Sequence, residues 1–127
     1  MRTILIFCAV LVFLMCLSCE ERTKTNTLPN DIKALEDIRK EKQVEEAFIT
    51  DVDILYVSMR ANGESKKGYA CYLCNTLYEY GAKTDHVKIV EYGTADANRL
   101  TSAYGDLVGE CYCSEWIEGF HKPKTDN

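Results

Sequence analysis

The sequence is short of proline and glycine, with two Pro and seven Gly in 127 residues. Collagen-like and low-complexity chains contain far more of both, so neither class fits. Positive charge is also scarce, because 15 Lys and Arg stand against 20 Asp and Glu and the formal net charge is −5. Nucleic-acid binding and docking on an anionic membrane surface both require a basic face. The composition therefore predicts no nucleic-acid partner and no polybasic membrane binding.

Apolar runs long enough to cross a bilayer are absent from the sequence. The longest run, Ile4–Leu17, has fourteen residues, whereas a spanning helix needs about 20. Arg2 precedes this run and the small residue Ser18 follows it, which is the arrangement of a secretory signal peptide. We therefore expect residues 1–18 to be removed on export, leaving 127 − 18 = 109 residues with a charge of 14 − 20 = −6. That length suits one small domain.

The end of the run, Cys16-Leu17-Ser18-Cys19, resembles the lipobox of bacterial lipoproteins. In that family a small residue precedes a cysteine whose thiol receives a diacylglycerol; the peptide before it is cleaved, and the new amino group is often acylated, for example with palmitate. The resemblance implies that Cys19 is lipidated and that Ser18 is the last residue removed. The family usually has leucine where this chain has Cys16. The resemblance covers residues 1–19 only.

This resemblance also implies a location in the cell envelope. Acyl chains on Cys19 would hold the protein on a membrane without crossing it, because each buried CH₂ contributes about 0.8 kcal/mol. The expected site is the periplasmic face of a membrane or the cell surface, with the outer membrane favoured. Residues 19–30 then form the lipidated cysteine and a polar tether. Eleven flexible residues have a root-mean-square reach of about 18 Å, which keeps the domain close to the lipid.

One small α/β domain is predicted over residues 31–127. A helix should start at Asn30 or Asp31, either of which can accept hydrogen bonds from the first turn. The charged stretch Arg39–Glu46 is interpreted as a solvated continuation of that helix. This gives the domain an N-terminal helix with a short apolar stripe, formed by Ile32, Leu35 and Ile38, and a charged continuation that contributes little to the core.

Strand, helix and strand follow one another in the middle of the chain. Val52–Met59 is apolar on both of its alternating faces, which is typical of a strand covered on both sides. Gly68–Tyr80 has helical periodicity and is followed by Gly81, which suits a left-handed helix end. His86–Tyr92 alternates as a second strand. The order predicts a βαβ unit with parallel strands.

The C-terminal part predicts shorter elements. Leu100–Tyr104 is expected to form a short helical turn, and Leu107–Cys113 an additional strand in which Gly109 indicates a bulge or an edge. The last apolar residues should fold back as a patch, and His121–Asn127 should be a frayed tail. That patch consists of Trp116, Ile117 and Phe120. The predicted fold class is a small two-layer α/β domain with a βαβ unit, an N-terminal helix and an extra edge strand.

Four cysteines remain after the lipid site: Cys71, Cys74, Cys111 and Cys113. Exported domains often contain disulfides, and a bridge from the helix pair to the strand pair would close a loop of about forty residues and stabilise the fold by roughly 2–4 kcal/mol. Cys111 and Cys113 point to the same side of a strand, which disfavours a bond between them. Two alternatives stay open. The four thiolates can bind zinc or another soft metal, or Cys71 and Cys74 can form a thioredoxin-like redox pair.

Other candidate sites are weak, so we assign no catalytic, cofactor or metal residues. The loop Ala61–Lys67 lies where parallel sheets bind ligands, but Tyr69 and Ala70 replace the Lys and Ser/Thr of a P-loop. His86 and His121, the only histidines, are not placed in sequence so as to indicate a nucleophile–base pair.

Tyrosine is the most unusual feature of the helix in the βαβ unit. Its four tyrosines spread over more than one face, so at least one should be exposed, and tyrosine favours binding surfaces. They are Tyr69, Tyr72, Tyr78 and Tyr80. The predicted function is a non-enzymatic binding or accessory lipoprotein with a protein partner in the envelope. The alternative is a thiol-redox or metal-binding envelope protein that uses the four cysteines.

Overall fold

A computed structural model describes residues 28–100 and 102–121 of the chain. In this part the elements in chain order are α1 (Pro29–Arg39), β1 (Glu46–Ile49), β2 (Ile54–Met59), α2 (Lys67–Glu79), β3 (His86–Glu91), β4 (Leu107–Tyr112) and α3 (Cys113–Trp116). The predicted signal peptide, Cys19 and all but the end of the tether lie outside the described residues. So does the predicted tail after His121.

The strands form one mixed sheet in the order β1–β2–β3–β4. The central strands β2 and β3 are parallel, and each edge strand is antiparallel to its neighbour. Helix α2 connects the two parallel strands, as a parallel pair requires. The predicted βαβ unit and the predicted edge strand β4 are therefore confirmed, and the fold is the small α/β domain expected.

The core lies between one face of the sheet and the helices α1 and α2. Helix α1 packs on β1 and α2, whereas α2 packs on β3 and β4. Alternate strand residues point into this layer and are at most 1% exposed, as the period of two requires. They are Leu55, Val57, Met59, Val87 and Ile89. Helix α2 contributes fully buried Ala70, Leu73 and Leu77.

The outer face of the sheet differs from the prediction that the β2 segment is covered on both sides by other layers. Tyr56 is half-buried there, and its cover consists of aromatic rings. Tyr104, from the connection between β3 and β4, lies with its ring centroid 4.5 Å from that of Tyr56 and 5.0 Å from that of Phe48. Val52, predicted as part of the strand, lies in the turn before it and is 68% exposed.

Helix α1 begins at Pro29 and ends at Arg39, so the predicted helical continuation through Glu46 is wrong. The chain turns after Arg39 and forms the edge strand β1, which the sequence did not indicate. Two contacts explain the change. The Arg39 side chain donates to the carbonyl of Ala47 at 2.9 Å, and β1 pairs along its whole length with β2.

Asp31 is not the cap that the sequence suggested. Its side chain is buried, at 2% exposure, and accepts hydrogen bonds from the backbone N–H groups of Lys83 at 3.1 Å and Thr84 at 2.9 Å. These bonds attach the start of α1 to the connection between α2 and β3.

The C-terminal segment is irregular before β4. The predicted helical turn at 100–104 is wrong, because its described residues form bends and turns, with the N–H of Asp96 bonded to the carbonyl of Ala103. Beyond α3, Phe120 folds back and is buried, whereas Trp116 is exposed. The predicted apolar patch therefore forms only in part.

Candidate functional site

The four domain cysteines meet where α2 crosses β4. Cys71 and Cys74 lie one turn apart on the helix, Cys111 lies near the end of β4, and Cys113 begins α3. Cys74 and Cys113 form a disulfide with a Cα–Cα distance of 5.1 Å. Cys71 and Cys111 are free thiols whose sulfur atoms are 2.8 Å apart. Each cysteine of α2 therefore contacts one of the two C-terminal cysteines, Cys74 through a bond and Cys71 through a close sulfur–sulfur approach.

The two pairs differ in exposure. Cys74 and Cys113 are fully buried, whereas Cys71 and Cys111 are each 7% exposed. Burial raises the pKa of Cys111 to about 12, and the hydrogen bond with Cys71 acts in the same direction. A thiol with that pKa stays protonated at neutral pH and reacts slowly, because the thiolate is the nucleophile.

This arrangement bears on the two alternatives for the cysteines. Because the sulfur of Cys74 is bonded to Cys113, it is not bonded to Cys71, its partner in a thioredoxin-like pair. Within the described residues, which include all four cysteines, no three His, Cys, Asp or Glu side chains are grouped so as to hold a metal ion.

An open groove of about 570 Å³ lies beside Cys111. We call it the Trp116 groove. The residues that line it are Lys67, Gly109, Glu110, Cys111, Tyr112, Glu115 and Trp116. Trp116 is 58% exposed and Tyr112 is 49% exposed. Two large rings therefore face solvent around one depression at the edge of the sheet.

Packing holds one wall of the Trp116 groove in place. The ring of Tyr112 stacks on that of His86, with centroids 4.1 Å apart. The Nε2 atom of His86 lies 2.6 Å from a carboxylate oxygen of Glu110. A fixed wall loses less conformational freedom when a ligand binds, which favours affinity.

Two of the four tyrosines that the sequence indicated as a binding surface, Tyr72 in α2 and Tyr80 directly after it, contact α1 and the segment that follows α1. The hydroxyl of Tyr72 donates to Glu41 at 2.7 Å, and that of Tyr80 donates to Asp37. These hydrogen bonds to carboxylates raise the pKa of both tyrosines. Tyr72 is exposed, but its polar tip is engaged.

The remaining candidates have partners within the fold. In the 61–67 loop, Lys66 pairs with Glu64 at 3.6 Å, and its backbone N–H donates to the carbonyl of Val108 at 2.8 Å. His86 pairs with Glu110, as described above, and His121 lies 3.0 Å from Asp85. The sequence therefore missed the Trp116 groove, and the only signal was the single tryptophan shortly after an edge strand.

Comparison of the chain with known protein families, curated proteins and solved structures finds no match. Across residues 28–100 and 102–121, no helix is long and apolar enough to cross a membrane.

Proposed function

We propose that the protein is a lipid-anchored, non-enzymatic binding protein of the bacterial cell envelope, and that the Trp116 groove receives a segment of an envelope protein. The apolar run followed by Ser18-Cys19 supports the anchor. One observation carries the binding function: Trp116 and Tyr112 are both exposed, and both line a groove with a pre-organised wall.

Exposed tryptophan and tyrosine are the residues most often found at the energetic centre of protein interfaces. Each offers a large apolar surface with a polar atom at its edge. Binding is therefore favoured when another protein covers either ring. Trp116 is the only tryptophan of the chain, and its ring stacks on no other described aromatic ring.

The charges around the groove define the partner's chemistry. The groove is lined by two carboxylates, Glu110 and Glu115, and by one cation, Lys67. Glu115 forms no ion pair with any described residue. The domain as a whole is acidic. A fitting segment carries a large apolar side chain to lie against Trp116 and a Lys or Arg to pair with Glu115.

Photo-crosslinking in intact cells tests this proposal. A photo-crosslinking amino acid in place of Lys67 should give a specific adduct, because that exposed position lines the groove and the change leaves Trp116 and Tyr112 in place. The same amino acid in place of Val52, which is exposed in the β1–β2 turn, is the control. Adducts of equal yield from both positions, or none from position 67, would contradict the proposal.

A peptide that spans the crosslinked segment then tests the chemistry. It should shift the fluorescence of Trp116 and bind the Glu115→Lys variant at least about tenfold more weakly, a change of about 1.4 kcal/mol. Glu118→Lys, with the same charge change at a nearby exposed position, should leave binding within about twofold, a change of about 0.4 kcal/mol. A peptide without basic residues that binds equally well would show that the charge argument is wrong.

Mass spectrometry of the protein from native membranes tests the anchor. We expect a mature N-terminus at Cys19 that carries a diacylglyceryl group. The Cys19→Ser variant should be neither lipidated nor cleaved at that site. A native protein that retains residues 1–18 would refute lipid anchoring.

A further inference from the structure

We propose that Cys71 and Cys111 form a second, redox-active pair, which is oxidised and reduced by thiol–disulfide exchange through the Trp116 groove. The Cys74–Cys113 disulfide remains a fixed bridge during this exchange. The inference goes beyond partner binding, since it concerns covalent chemistry at the base of the groove and does not require a bound protein.

The two free sulfur atoms lie close to bonding distance. The sulfur atoms of Cys71 and Cys111 are 2.8 Å apart, less than about 1 Å beyond the length of a disulfide bond, about 2.05 Å. The neighbouring bridge from Cys74 to Cys113 holds the same helix against the same end of the sheet. Small side-chain movements are therefore enough to form or break the second bond.

The cysteines differ in their access to the groove. Cys111 lines the Trp116 groove, whereas Cys71 does not. The sulfur atoms of the first bridge belong to residues that are fully buried. An external thiol or disulfide should therefore meet Cys111 first and should not reach Cys74 or Cys113 in the folded protein.

Reduction of the Cys71–Cys111 disulfide takes two steps. An external thiolate attacks the sulfur of Cys111, which breaks the Cys71–Cys111 bond and releases the thiolate of Cys71. A second external thiolate attacks the external sulfur of the mixed disulfide and releases Cys111, and both protein thiolates take up protons. Two external thiols become one disulfide, and two electrons and two protons pass to the protein. Oxidation by an external disulfide is the reverse. It begins with the thiolate of Cys111, which the raised pKa of that thiol keeps scarce at neutral pH, so oxidation is slow there and faster at higher pH.

Glutathione is the probe for this pair in the purified full-length protein. After incubation with oxidised or reduced glutathione, free thiols are blocked with N-ethylmaleimide and located by peptide mass spectrometry. We expect Cys71 and Cys111 to be alkylated together in reduced glutathione and protected together in oxidised glutathione, with Cys74 and Cys113 bonded in both. A midpoint should be reached in mixtures of the two forms.

Single variants test the role of access. Cys71→Ser should accumulate a stable mixed disulfide between Cys111 and glutathione, because the resolving thiol is missing. Cys111→Ser should form the corresponding adduct on Cys71 at least tenfold more slowly. Equal rates would refute exchange through the groove.

Two outcomes would overturn the pair itself. Cys71 and Cys111 could remain alkylatable after oxidised glutathione, in which case they form no disulfide. Alternatively, both pairs could open together and only under strong reductant, which would make both of them structural bridges. Neither outcome affects peptide binding at Trp116, so failure of this inference is distinguishable from failure of the proposed function.

Discussion

Gly109 lies where the N-terminal end of α2 approaches the edge strand β4. A Cβ atom on this residue would lie 2.5 Å from the carbonyl carbon of Lys66 and 2.9 Å from the nitrogen of Lys67. Both are backbone atoms, and the N–H of Lys66 is bonded to the carbonyl of Val108, so the chain cannot easily move aside. We expect Gly109→Ala to lower the free energy of unfolding by about 1–3 kcal/mol, measured by urea denaturation.

Gly68→Ala is the matched control for that substitution. Gly68 lies in the first turn of α2, and a Cβ atom there would meet nothing within 4 Å. Alanine is the better helix former, so the free energy of unfolding should be unchanged or higher by up to about 1 kcal/mol. An equal loss in both variants would show that the close approach at Gly109 is not the cause.

Tyr69 is a half-buried residue of α2 whose hydroxyl has no hydrogen-bond partner among the described residues. Burial, helped by the charge of Glu41, raises the pKa of Tyr69 from 10.0 to about 12. A raised pKa contributes stability that is complete below pH 10 and is lost as the pH rises towards 12, because the unfolded chain deprotonates first.

The Tyr69→Phe variant should therefore lose less stability between pH 10 and pH 12 than the native protein. Titration of tyrosinate absorbance should also lack one late step near pH 12. Tyr92→Phe, which changes an exposed ring, is the control and should retain that step. A late step that persists without Tyr69 would assign it to another tyrosine.

At the scale of elements, Asp31 joins α1 to the connection between α2 and β3. It is the acceptor for two backbone N–H groups more than fifty residues along the chain. Asp31→Ala would leave the N–H groups of Lys83 and Thr84 without this acceptor, at a cost of roughly 2–4 kcal/mol in the free energy of unfolding. Urea denaturation measures the loss. Glu36→Ala, an exposed change on the same helix, should cost under about 0.5 kcal/mol.

The central elements were predictable because their signals are local. The period of α2, the left-handed Gly81 with a φ of +67° and the alternation of β3 all lie within a few residues of one another. Strand β1 was not predictable. It has four residues and exists through pairing with β2, whereas its flanking charges resemble those of an exposed helix.

The candidate site was predictable only as a set of residue types. The sequence placed Cys71 and Cys74 on a helix and Cys111 near the end of a strand, which made a bridge between helix and strand reasonable. The choice of partners depends on how α2 crosses β4, and the start of α3 at Cys113 changes the direction of that side chain. The Trp116 groove involves three elements, so no local pattern could indicate it.

At the scale of the whole molecule, the two cysteine pairs connect the same two segments of chain. The Cys74–Cys113 bond spans 39 residues, and closing such a loop in the unfolded state corresponds to about 4 kcal/mol of stability in the chain-entropy account. When the Cys74–Cys113 bond is present, a Cys71–Cys111 bond adds only a small loop, made of residues 71–74 and 111–113. Closing that loop corresponds to about 2 kcal/mol of stability in the same account. The first bond should therefore dominate stability.

We expect the Cys74→Ala/Cys113→Ala double variant to lose about 4 kcal/mol in the free energy of unfolding. The loss is measured by urea denaturation after treatment with reduced glutathione, which is removed beforehand, so that Cys71 and Cys111 are both thiols. The Cys71→Ala/Cys111→Ala double variant, measured in the same way, should lose less, because removing two buried thiols leaves the long loop closed. Strong reductant should then destabilise the second variant and leave the first unchanged. If the two variants lose equal stability, the fold depends on the packing of the cysteine cluster and not on the closed loop. This comparison separates the structural bridge from the exchangeable pair, because only the bridge is needed to restrict the unfolded chain between the second half of α2 and the start of α3.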